Sequence, residues 1–266
     1  MELSKHPVID THCHLDFDDF APERDDIIKR ANDAGVERMV TISTRVKKFD
    51  RIKAVAEAYD CVFCSVGTHP HNAAEETDIT TEDIVALAAH PKCVAIGEAG
   101  LDYHYDTAPR DVQANVFRAN IAASRQTGLP LVIHARDADE DMISILEAET
   151  GKGAFPFILH CFSSGQALAD AGVRLGGYVS FSGILTFKNS PEIREIAKSV
   201  PQERLLVETD APYLAPPPYR GKRNEPSYVV NTARVLAETI GLSEAETRDL
   251  TTANAYKLFA RMTRPT

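Results

Sequence analysis

Short apolar runs punctuate the chain at a nearly regular interval: Val8–His12, Met39–Ile42, Val62–Val66, Val94–Gly97, Leu131–His134, Phe157–His160, Tyr178–Phe181 and Leu205–Glu208. They recur roughly every 30 residues, about the length of one strand-plus-helix unit. Continuous apolar runs bounded by Gly, Pro and polar residues suit strands buried on both faces. The stretches between them read as amphipathic helices. Arg110–Thr127 follows a proline and stops at Gly128-Leu129-Pro130, Asp137–Glu149 stops before Gly151, and Pro191–Val200 opens on a proline where a missing N–H costs little. Ser243 and Glu246 make a capping box for a last helix that runs to about Phe259. Eight such units leave two architectures, a closed (β/α)8 barrel or a doubly wound open sheet. The count favours the barrel. No Gly-x-Gly-x-x-Gly follows the first strand, which removes the main reason to prefer a dinucleotide-binding sheet. The expectation is one α/β domain over residues 1–266, folded as a TIM barrel.

Composition narrows the function classes. With 266 residues, 44% hydrophobic and 26% charged, the chain can bury a sizeable core and is not disordered. No apolar run approaches the roughly 18 residues of a membrane span, so no membrane association is expected. The opening MELSKHPVID has no apolar h-region, and five cysteines is an odd count; both point to a reducing, cytoplasmic setting rather than secretion. The formal charge of −10 argues against a protein that coats duplex nucleic acid.

In a barrel of this kind the chemistry sits at the C-terminal ends of the strands. The first run ends in Asp10-Thr11-His12-Cys13-His14 and the third in Gly67-Thr68-His69-Pro70-His71. The fourth ends in Gly97-Glu98-Ala99-Gly100-Leu101-Asp102, the fifth in His134-Ala135-Arg136-Asp137, the sixth in His160-Cys161-Phe162 and the eighth in Glu208-Thr209-Asp210. His12 and His14, two apart on a strand, point to one face. Glu98, His134, His160 and Asp210 converge with them only if the barrel closes. Four imidazoles and two carboxylates exceed what one divalent ion takes from protein, and they fit two ions about 3.5–4 Å apart. The mixed N/O set suits Zn, Mn, Co or Fe, and is less natural for Mg alone. Asp10 and Glu208, two residues before His12 and Asp210, are expected to orient ligands. Cys61-x-x-Cys64 has metal or redox spacing, but positions three apart on a strand face opposite sides, so core packing is the expectation. His69 and His71 could be ligands, although a His-Pro-His turn reads better as a substrate-contacting loop.

With those residues in view, the chain resembles the TatD family of metal-dependent hydrolases, barrel enzymes associated with deoxyribonuclease activity. The likeness rests on DTHCHLD at 10–16, GTHPH at 67–71, GEAGLDYHYD at 97–106, LPLVIHARDAD at 129–139, LHCFS at 159–163, GGYVSFSGILTFKN at 176–189, LLVETDAPYLAP at 205–216 and RGKRNEP at 220–226. It implies metal ligation by His12, His14, Glu98, His134, His160 and Asp210, with Glu98 bridging two divalent ions. One departure is Ser164, which stands before Gly165 where many relatives continue directly with glycine.

The expected activity is hydrolysis of a phosphodiester at nucleic-acid ends, a 3′-5′ exonuclease on single-stranded DNA or RNA using a metal-activated water. Asp210 is the first candidate to accept the proton, with Glu98 second. Two divalent ions bring more positive charge than Glu98 and Asp210 neutralise, so the pocket is expected to be positive inside an acidic chain. Arg220, Lys222, Arg223 and Asn224 follow the eighth strand and read as a clamp for substrate phosphates, with Arg136 a second candidate. The alternatives are another ester or amide bond on the same platform (a phosphatase, an amidohydrolase or a D-aminoacyl-tRNA deacylase) and a non-catalytic binding barrel. No obligatory protein partner is evident.

Overall fold

The computed structural model describes residues 5–265; residues 1–4 and 266 of the expected domain lie outside the described residues. Its eight strands are β1 Val8–Cys13, β2 Val36–Thr41, β3 Val62–Val66, β4 Cys93–Asp102, β5 Leu131–Arg136, β6 Phe157–Leu159, β7 Tyr178–Phe181 and β8 Leu205–Val207. They lie in sequential order, and every neighbouring pair from β1–β2 to β7–β8 is parallel. The last seam, β8 to β1, is closed by fewer bonds. Asp210 N donates to His12 O at 2.9 Å and His14 N to Ala211 O at 2.8 Å, with Cys13 bridging Ala211. The Thr11 hydroxyl adds a bond to Val207 O at 3.0 Å. The open doubly wound alternative is thereby excluded, and the molecule is a nearly closed (β/α)8 barrel.

Nine α-helices lie among the described residues, the first eight around the barrel: α1 Arg24–Asp33, α2 Phe49–Ala58, α3 Thr81–Leu87, α4 Arg110–Thr127, α5 Asp139–Lys152, α6 Gln166–Arg174, α7 Pro191–Ser199, α8 Val229–Ile240 and α9 Glu244–Leu258. α4 spans the range its sequence signals define, ending on Gly128 at φ 71°, where a residue without Cβ is least strained. The Ser243–Glu246 capping box is formed at the start of α9. α5 begins two residues later than expected and continues through Gly151 to Lys152, because its stop is Gly153.

Two apolar layers hold the fold. Between strands and helices lies the larger one, which includes Leu15, Ile27, Met39, Phe117, Leu146 and Phe181. Inside the barrel, Ile9, Val40, Phe63, Val94, Val132, Ile158, Tyr178 and Leu206 form a second cluster, one residue from each strand. α9 caps that cluster with Ala255 and Leu258, joined by Phe259 and Met262 just beyond it. The helix is fixed at the strands' N-terminal end by Thr252 Oγ1 to Pro7 O (2.9 Å) and Asn254 Nδ2 to Leu205 O (2.9 Å). Cys64 is buried in the outer layer, Cys61 packs against it, and all five cysteines are free thiols. No helix of the described residues is long and apolar enough to cross a membrane. With the N-terminal end plugged, only the C-terminal mouth remains for chemistry.

Candidate metal centre

At that mouth the strands place the six expected ligands together. His12 and His14 lie on one face of β1's end with their Nε2 atoms 3.3 Å apart. Asp210 Oδ1 is 3.6 Å from His12 Nε2 and 3.5 Å from His14 Nε2. Glu98 occupies the centre of the group. Its Oε2 lies 3.4 Å from His12 Nε2, while Oε1 lies 2.8 Å from His160 Nε2, 3.0 Å from His134 Nδ1 and 3.3 Å from His69 Nε2. Three overlapping groups have the spacing to hold a cation: His12, Glu98 and His160; His12, His14 and Asp210; and His69, Glu98 and His134.

Small residues make this convergence possible. Gly67 follows β3 at a point where a Cβ would sit 2.4 Å from Gly97 Cα in the middle of β4, so the two backbones approach this closely only as glycines. Gly100 has φ +154°, and a Cβ there would lie 1.9 Å from His134 O. That contact sets β4 and β5 side by side and brings Glu98 to His134. Asp210, at φ 58°, and Cys161, at φ 44°, hold left-handed backbone that costs such residues about 1–3 kcal/mol. For Asp210 the conformation is held by its N–H on His12 O and by Tyr213 N, which donates to its carbonyl at 2.9 Å.

The partners on the far side of each ring assign the protons. His160 Nδ1 donates to Glu208 Oε1 (3.1 Å), His14 Nδ1 to Ile42 O (3.1 Å) and His134 Nε2 to Asp102 Oδ2 (2.9 Å). Their remaining nitrogens are therefore turned into the site, where each can give a lone pair to a cation or carry a proton when no cation is bound. His160 Nε2 faces Glu98 Oε1 without hydrogen-bond geometry and is an orphaned buried atom. His134 Nδ1 also meets that oxygen. Acceptors held face to face repel unless a cation or a proton lies between them, so the donor set fits divalent metal. His69 differs. Its Nδ1 accepts from His71 N at 3.0 Å, so its Nε2 carries a proton and points it at Glu98. His69 thus reads as a donor that steadies Glu98, despite its ligand-like distance.

Charge is concentrated here. Burial alone would raise the Glu98 carboxyl, but the imidazoles of His160, His69 and His12 hold it well below the usual range. Burial disfavours a charged His160, yet Glu98 and Glu208 push it well above an ordinary imidazole. His69 is lowered to about 4 by burial, in keeping with a neutral ring. Glu208 orients His160 and also accepts from Cys161 N (2.8 Å). Asp10, whose pKa burial pushes up to about 8, accepts from Thr209 N (2.9 Å) and Thr209 Oγ1 (2.6 Å) and thereby fixes the backbone before Asp210. One residue absent from the expected set is Asp102. Its Oδ2 joins His134 to His71 Nε2 (2.8 Å), and those bonds outweigh burial to keep its carboxyl below the usual range. Strand alternation carried the signal, since Glu98, Gly100 and Asp102 share a face.

All of the expected ligands except the fully buried His12 line a cavity of about 1790 Å3 that also takes in His69, His71, Ser164 and Arg136. The basic segment after β8 does not reach it. Arg223 is held by Glu23 and the Asp19 carbonyl and lies over Phe20. Arg220 packs over the Phe187 ring at 3.6 Å, Lys222 is exposed, and Asn224 is buried, tying down Thr209 O and Tyr213 O. The segment expected as a clamp, Arg220, Lys222 and Arg223, thus lies outside the residues that line the cavity. The loop folds back on the β1–α1 connection, and the cavity's cations are Arg45, Lys48, Arg51, Arg110 and Arg136.

Comparison with known proteins gives the chain a family. Residues 9–260 match the sequence profile of the family described as TatD related DNase. An uncharacterized metal-dependent hydrolase, YabD of Bacillus subtilis, is 42% identical over 95% of this chain and 98% of its own. The 3′-5′ ssDNA/RNA exonuclease TatD of Shigella flexneri is 33% identical over 95% and 98%. The crystal structure of YjjV, a TatD homolog from Escherichia coli, superposes with a TM-score of 0.88 at 29% identity, covering 95% of this chain and 98% of that one. The chain belongs to the TatD-related family of metal-dependent hydrolases.

Proposed function

We propose that this protein is a two-metal phosphodiesterase that trims single-stranded DNA or RNA from the 3′ end. The observation that carries the proposal is the position of Glu98, whose two carboxylate oxygens face different nitrogen sets. That is the arrangement of a ligand shared by two cations. His12, His14 and Asp210 would complete one position, and His134 and His160 would serve the Glu98 Oε1 side. Divalent ions held there supply Lewis acidity toward a phosphoryl oxygen and a more acidic water.

The chain's own groups do the rest. Asp210 is 14% exposed at its side chain, the most open of the carboxylates in the group, and its pKa is lowered: burial raises it, but His14, His12 and His160 outweigh that. It is thus ionised and placed to accept a proton from water entering the cavity. Glu208 and Asp102 keep His160 and His134 in the tautomers that present lone pairs inward. The nucleic-acid reading is favoured by the exonuclease relative at 33% identity. Free thiols throughout fit work in a reducing compartment such as the cytoplasm. Release of nucleotides from 3′-labelled single strands, with Zn, Mn, Co or Mg added, tests the proposal beside Glu98→Ala. We expect release by the wild type alone. A wild type that releases none under any metal, yet cleaves p-nitrophenyl phosphate or aminoacyl esters, moves the activity to another bond.

A further inference from the structure

Among the described residues two large apolar-bodied side chains are left exposed, Tyr105 at 57% and Tyr213 at 54%, and both line the cavity that holds the metal ligands. Aromatic surface left in water at a reaction site is surface held ready for a ligand. The two rings attend different halves of the centre. Tyr213 stands 6.4 Å from the His14 ring, beside the group of His12, His14 and Asp210. Tyr105 stands 5.2 Å from the His71 ring, and His71 shares Asp102 with His134 on the other side. Each ring is braced. Phe17 lies 6.5 Å from Tyr213 and is itself stacked on His14 at 4.6 Å, while the Arg136 guanidinium covers one face of Tyr105 at 4.9 Å.

We infer that Tyr105 and Tyr213 form a jaw that grips the unpaired terminal base of a single strand by stacking, and so selects single-stranded ends without choosing among bases. This rests on the nuclease reading of the same site. The cavity wall around the rings mixes Arg45, Lys48, Arg51, Arg110 and Arg136 with Asp18, Asp19, Asp137, Glu140 and Asp141. Such charges meet the phosphates of a paired or an unpaired strand alike, whereas stacking requires a base face that is still free. Stacking is sequence-tolerant because every base has a π-face, and a base inside a duplex already has both faces covered.

The test follows nucleotide release from single strands ending in an intact or an abasic 3′ nucleotide, for wild type, Tyr105→Ala, Tyr213→Ala and the Phe variants, at matched metal content. For intact ends we expect KM to rise about tenfold in each Ala variant and to stay near wild type in each Phe variant. An abasic end should cost the wild type a similar factor and the Ala variants little more. Ala variants with wild-type KM, or abasic ends accepted as well as intact ones, would overturn the jaw and leave the nuclease reading standing. A wild type that releases no nucleotide from any strand overturns that reading and the jaw with it.

Discussion

At the N-terminal end of the barrel, one apolar side chain from each strand meets Ala255, Leu258, Phe259 and Met262 at the end of the last helix. Toward the C-terminal end β1, β4, β5, β6 and β8 bring His12, Glu98, His134, His160 and Asp210 together, with Asp210 in the left-handed region. Stability is accumulated at the first end and drawn on at the second. The barrel thus holds acceptors close together that would separate in a softer scaffold. The division predicts that variants sort by which end they touch.

The largest contrast is between Glu98→Ala and Phe259→Ala. Removing Glu98 should abolish metal-dependent hydrolysis and leave the protein cooperatively folded, because it takes nothing from either apolar layer. Phe259 is fully buried, and its truncation should cost about 3–5 kcal/mol in denaturant unfolding while turnover per folded molecule holds. Phe259→Ala with full stability and impaired turnover would break the division.

A smaller effect belongs to the residues behind the ligands. Glu208→Gln keeps an acceptor for His160 but removes the charge, and should lower metal affinity by about 10–100-fold. Equal affinity in a metal-competition titration would reduce Glu208 to a packing role.

The smallest expected effect separates cations inside the cavity from those outside it. Arg136→Ala removes the support of Tyr105 and should raise KM for a single strand roughly fivefold, the factor for about 1 kcal/mol of cation–π contact. Arg223→Ala should leave KM unchanged, since its guanidinium is committed to Glu23. The reverse order would restore the basic segment as the phosphate clamp.

That last pair also marks where sequence reasoning stopped. The strand runs and the convergence of His12, His14, Glu98, His134, His160 and Asp210 were legible because burial on both faces leaves uninterrupted apolar segments and because barrel closure gathers donors placed at strand ends. β4 was read only as far as Gly97, whereas it continues to Asp102. Beyond Gly97 the continuous apolar run gives way to Glu98, Gly100 and Asp102 alternating with Ala99 and Leu101, and pairing with β5 keeps these residues in the sheet. Arg223 stands next to β8 in sequence, but its direction is set by Glu23, two hundred residues away. Arg45 and Lys48 enter from the β2–α2 connection, which carries no histidine or acid to draw attention to it, and Arg51 from the first turn of α2.

The account turns on Glu98 as the ligand common to two cations. Its most direct test is the number of divalent ions retained per chain, by elemental analysis after equilibration with zinc, in wild type and Glu98→Ala. The account predicts two ions in the wild type and loss at both positions in the variant. A variant that still holds two ions with wild-type affinity would contradict it.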